Sequence, residues 1–225
     1  MTISAQDTRT RTPRLVVAIL VIGILAVPVL SFPYVLLDRA ASRIDVTTDA
    51  AWVLLVTHVV TASTAMILGA LQLVPRIRAD RRRHRIIGRT FLGFGTVAFV
   101  FTAVPLAITT PDGNLTRYGV LIPALLWPVL AVLGWRAIRA GDVVRHREWM
   151  VRLYAVTFFA ITTRLLVPLL LLVQVPVMQS RYDGDVQAAV SASIPVGQWL
   201  GWIVNLLIAQ WVIHRWRSRP EQAPT

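Results

Sequence analysis

The chain has no cysteine and no lysine. The first absence excludes disulfides, thiolate metal sites and cysteine catalysis, and it leaves the redox compartment undefined. The second makes all 23 basic residues arginine. Acid is scarce as well: 11 Asp and Glu leave a net charge of +12 over 225 residues. There is no phosphate-cradling glycine loop, no nucleophile elbow and no pair of carboxylates at catalytic spacing. Charged residues make up only 15% of the chain, where a soluble domain carries about 25%. What fills the space is apolar. Hydrophobic residues are 56% of the total and mean hydropathy is +0.63. Disorder and a soluble globule of this size are both excluded.

Six runs reach the roughly 20 apolar residues that a helix needs to cross a ~30 Å hydrocarbon core. They extend from Leu15 to Leu37, Ala51 to Pro75, Ile86 to Thr109, Tyr118 to Trp135, Trp149 to Val175 and Pro195 to Ile213. The first resembles a signal peptide in its basic leader. It is too long for one and closes on no small-x-small cleavage pattern, so it is expected to be retained. The links are short. The expected fold is therefore an all-α, polytopic membrane bundle of six transmembrane helices (residues 15–215), flanked by basic tails at 1–14 and 216–225.

The arginines sort by side. The two tails and the second and fourth links carry 18, the other three links carry 4, and Arg164 stands alone inside a span. By the positive-inside rule both termini and the arginine-rich links face the cytoplasm. The basic excess thus describes threading, and its expected partners are anionic lipid headgroups, each surface arginine adding on the order of 1 kcal/mol. No nucleic-acid recognition motif accompanies the charge.

Two polar blocks echo each other at the cytoplasmic rim. One is His84-Arg85-x-x-Gly88-Arg89, the other His146-Arg147-x-Trp149-Met150-x-Arg152-x-Tyr154-Ala155. With His58 in the second span, Gln72, Pro75 and the downstream Arg164, these blocks resemble a family of predicted bacterial membrane proteins, domain of unknown function 2306. The resemblance covers spans two to five. It implies a multi-pass protein of the bacterial plasma membrane and supplies no activity.

The residues themselves offer one candidate site. A charge within a span costs at least about 2.5–3.5 kcal/mol and tends to face the bundle interior. Arg164 lies about 18 Å from the cytoplasmic edge at Arg152, counting 1.5 Å per residue. His58 and Asn205 fall at a comparable level. His58, Ala62, Ala65, Gly69 and Gln72 share one face of the second span, where small residues permit close approach. Arg164, His58, Asn205 and Gln72 are therefore the candidate ligand-binding residues of a carrier or sensor for a small molecule or ion. The alternatives are a haem held by His58 or the rim histidines, as in membrane b-type cytochromes, and a structural or assembly role without ligand. No catalytic residue, metal site or cofactor is expected, and neither substrate nor oligomeric state is legible.

Overall fold

The computed structural model describes residues 14–40, 42 and 48–218. The expected tail arginines Arg9, Arg11 and Arg219, and Arg43 of the first link, lie outside the described residues. The described elements are all helical. They are α1 (Arg14–Val35), α2 (Asp49–Leu71), α3 (Pro75–Ala79), α4 (Arg81–Thr96), a π-helical segment (Val97–Ala103), α5 (Val104–Thr109), α6 (Gly113–Arg139), α7 (Val143–Thr157), α8 (Phe159–Gln174), a 3-10 turn (Val175–Val177), α9 (Met178–Tyr182) and α10 (Val186–Arg217). Among the described residues five helical runs are long and apolar enough to cross a membrane: Asp49–Leu71, Arg81–Thr109, Gly113–Arg139, Phe159–Tyr182 and Val186–Arg217. Beside them α1 is a helix of 22 residues with Pro28 and Pro33 inside it.

Caps, not hydropathy, set several boundaries. Thr48, Asp80, Asp142 and Asp185 each accept a hydrogen bond from a backbone N–H of the first turn they precede. Such a cap contributes about 0.5–2 kcal/mol. For this reason α10 starts at Val186, well before the expected Pro195, and α4 starts at Arg81, ahead of the apolar run at Ile86. The expected fifth run is divided. α7 ends at Thr157, Phe158 makes a turn, and α8 begins at Phe159. The third crossing is also irregular. Pro105, in the first turn of α5, has no N–H to donate, and its ring crowds the carbonyl four residues earlier. The turn ahead of it widens into the π segment.

Consecutive crossings run antiparallel. The rings of Tyr34 and Trp52, 6.0 Å apart, place the end of α1 beside the start of α2. At the opposite end Gln72 bonds the His84 carbonyl, His146 the Gly134 carbonyl and Arg217 the Glu148 carboxylate. The end of α2, the starts of α4 and α7 and the ends of α6 and α10 therefore meet at one arginine-rich end.

The core centres on Trp127 of α6, which has no exposed surface. Phe99 stacks on it at 5.3 Å and Phe91 meets it edge-on at 6.0 Å. Its indole N–H donates to Thr157 Oγ1 at 3.0 Å. The ring fits over Gly95, where an added Cβ would collide with it. A second joint forms where Tyr154 lies over Gly69 and donates its hydroxyl to the Met66 carbonyl at 3.3 Å. α10 buries every fourth residue from Ala189 to Ile213, with Gly197 and Gly201 pressed against Thr163 of α8. Small residues at that spacing let backbones approach closely.

Because the Trp127 ring is enclosed on all sides, Gly95→Ala is expected to destabilise the protein by about 1–3 kcal/mol through overpacking. Gly93 has open space beside it, so Gly93→Ala should be neutral or stabilising by up to about 1 kcal/mol. Thermal unfolding of the two variants in detergent measures the difference.

Candidate functional site

The π segment and His58 form one unit. In π geometry Thr102 Oγ1 lies 3.1 Å from the Val97 carbonyl and 2.6 Å from that of Ala98. His58 Nδ1 reaches across from α2 to within 3.0 Å of both the Ala98 carbonyl and Thr102 Oγ1. A carbonyl only accepts, so Nδ1 carries the proton in this network and donates it. In the neutral ring the lone pair then resides on Nε2. A backbone carbonyl thus fixes both the tautomer and the orientation of the imidazole, an arrangement that suits a proton acceptor or a ligand to a metal.

Arg164 lies near enough for its charge to act on His58. Its Nη1 donates to the Ala160 carbonyl at 3.0 Å, one turn back on α8, and its side chain is exposed. It was expected to face the bundle interior. Thr163, the preceding residue, is the one that packs into the glycine row of α10 and bonds the Gly197 carbonyl. One residue further round the helix, Arg164 points to the lateral face.

The other two candidates serve different joints. Asn205 is buried, with 8% of its surface exposed. Its Oδ1 accepts from Thr162 at 2.9 Å and its Nδ2 donates to the Ala155 carbonyl at 3.0 Å, tying α10 to the α7–α8 junction. Gln72 is about 21 Å along α2 from His58 at 1.5 Å per residue. It bonds the His84 carbonyl at 3.2 Å and faces Gly88. Asn205 and Gln72 therefore bond at separate helix joints, and Arg164 acts on His58 through the field of its charge.

The two rim blocks also converge. His146 Nδ1 donates to the Gly134 carbonyl at 2.9 Å. His84 Nδ1 is buried without a hydrogen-bond partner, and His84 lies within electrostatic range of His146 and Arg78. Burial and the neighbouring Arg78 push the Arg147 guanidinium below its usual value. That guanidinium sits 3.8 Å over the Trp216 ring. Arg85 and Arg89 are exposed on the outer side of α4. Among the described residues no group of three or more His, Asp and Glu could hold a metal ion.

Sequence reasoning missed the strongest ion pair. Glu148 is 6% exposed. Arg217 grips both its oxygens, at 2.7 and 2.6 Å, from the last turn of α10. Arg152 stands 4.0 Å away, lies 4.8 Å over the Trp149 ring and donates to Gln210 Oε1 at 2.7 Å. The signal in the sequence was the isolation of Glu148 between two arginines at the edge of an apolar run. Its partner is 69 residues away and could not be read.

Residues 55–213, 159 of 225, match the family described as predicted membrane protein (DUF2306). No curated protein and no solved structure matches the chain.

Glu148 is buried although Arg217 is exposed, so removing Arg217 takes the bidentate partner from a buried carboxylate, which is more damaging than removing both. Arg217→Gln should therefore lower the melting temperature more than the double variant Glu148→Gln/Arg217→Gln does. A double-mutant cycle by thermal unfolding in detergent reads the coupling.

Proposed function

We propose, from the premise that this chain belongs to the predicted membrane protein family DUF2306, that it handles a small anionic, proton-exchanging molecule within the membrane. The threading is six spans in the bacterial plasma membrane, with both tails cytoplasmic. The arginine-rich end gathered by Gln72, His146 and Arg217 supports that direction.

The observation that carries the reading is the imidazole of His58, fixed by the Ala98 carbonyl and within the field of the Arg164 charge. An acidic group drawn to Arg164 replaces a positive field at the imidazole with a negative one. That charge favours the imidazolium, so anion and proton bind together, each raising the affinity for the other. The Ala98 carbonyl accepts from Nδ1 whether the ring is neutral or charged, so the ring need not turn when it titrates. Thr102 holds the same nitrogen from the side. The role is that of a carrier or a sensor, and it needs no enzymatic step.

A second reading rests on the same imidazole. A histidine whose Nδ1–H is held by a carbonyl presents Nε2 as an axial haem ligand would. The visible spectrum of the protein purified in detergent separates the two. A Soret band with reducible α and β bands would establish the haem reading, and a colourless protein leaves the anion reading.

For that reading, proteoliposomes containing a trapped pH-sensitive dye should acidify when small carboxylates or inorganic phosphate are added outside. His58→Gln and Arg164→Gln should each reduce the initial rate by about tenfold or more, the effect of losing about 1.4 kcal/mol of binding. Arg139→Gln, at the exposed end of α6, should not. Equal rates in all four proteins would overturn the site. A reporter fused after Thr225 should be found in the cytoplasm.

A further inference from the structure

Between α6 and α10 lies a groove of about 420 Å³. Leu126 and Leu130 form one wall, and Trp202 and Leu206 the other. Arg152 and Gln210 close it at the arginine-rich end. Leu207, on its lip, is 64% exposed, so the groove opens sideways, away from the helix bundle. In a membrane protein that direction leads to lipid.

Two features make the groove more than a dent in an apolar surface. Arg152 has charge to spare: the one carboxylate beside it is gripped at both oxygens by Arg217, and its own short contact is to the neutral amide of Gln210. Leu206 lies about one turn of α10 from Gln210 and Trp202 about two, at 3.6 residues per turn, so the apolar walls continue inward from that cation. A cation at the interfacial end with apolar walls beyond it matches the order of headgroup and acyl chain along one lipid. We infer that this groove is a saturable site for an anionic phospholipid of the leaflet at the arginine-rich end. Its phosphate lies on Arg152, and an acyl chain runs along Leu130, Leu206 and Leu126. The site is separate from His58 and Arg164 and stands or falls independently of the function proposed above.

The test counts lipid retained by the intact protein. Wild type and variants are reconstituted in nanodiscs of phosphatidylcholine with a minority of phosphatidylglycerol. They are then released into mild detergent and weighed by native mass spectrometry. Wild type should retain one phosphatidylglycerol in preference to phosphatidylcholine. Arg152→Gln should reduce that retention about fivefold, the effect of one interfacial cation on an anionic lipid. Leu207→Trp should do the same by filling the groove mouth with every arginine intact, which keeps the test decisive if Arg152→Gln unsettles the joint to α10. Arg139→Gln should leave retention unchanged. Equal loss in Arg139→Gln and Arg152→Gln would reduce the effect to general rim charge and overturn the site. So would equal retention of the two lipids, or a lipid-free dimer that Leu207→Trp splits, since a second copy would then be the occupant.

Discussion

The contact on which the rest depends is the seating of Trp127 over Gly95. A side chain of that size, fully enclosed, fixes the distance and rotation of every helix that touches it. Phe99 on one face and Phe91 at the edge orient the third crossing. The indole N–H to Thr157 orients the fifth. Ala98 is the neighbour of Phe99 on the π segment, so the ring that stacks on Trp127 also sets the direction of the Ala98 carbonyl. That carbonyl is the group that holds His58. A packing contact in the core thereby determines the tautomer of an imidazole on another helix.

Hydrocarbon offers no water to unpaired polar groups, and the chain answers in two ways. Most hydroxyls turn back on their own helix. Thr57, Thr61, Thr64, Thr90 and Thr96 each donate to the carbonyl four residues earlier. These bonds satisfy the side chain and specify nothing beyond it. A smaller set reaches another helix: Trp127 to Thr157, Tyr154 to Met66, Asn205 to Ala155 and Thr162, and His58 to Ala98. That second set selects which helices pair, because each misplaced donor would be left unpaired at a cost of about 1–3 kcal/mol.

The contrast explains what the sequence could and could not disclose. Apolar runs long enough to span, the segregation of arginine and the two His-Arg blocks depend on composition along the chain, and all were legible. The pairing of Glu148 with Arg217 depends on helix rotation and neighbour order, whereas the π segment has a local cause in Pro105. His58, Arg164 and Asn205 were read as one level of the bundle, and depth is indeed calculable from 1.5 Å per residue. Azimuth is not. Asn205 faces Thr162 while Arg164, two residues on, faces outward. The α10 row from Ala189 to Ile213 was present as a four-residue repeat of mostly small residues. It was legible by the same spacing rule as the small residues on α2.

The uneven packing of α8 bears on how His58 and Arg164 could act together. Through Thr163, Val167 and the glycines of α10, α8 is fastened closely to that helix. Toward α1 and α2 its contact is a small cluster of Ile161 with Met66 and Val27. Its outer face, with Leu165, Leu169, Leu172 and Val173, is exposed. His58 belongs to the opposite body, clamped to the π segment and through Phe99 to Trp127. The two candidate residues are therefore carried on elements that touch each other directly at few points, although α10 joins α8 to α6 and α7. Local openings of low energy occur where buried apolar contact is sparse. A ligand that bridges the imidazole and the guanidinium would add contact between α8 and α2, where direct packing is slight. Its binding energy would then act on the spacing of the two helices, and that coupling is the physical requirement for a carrier or a sensor.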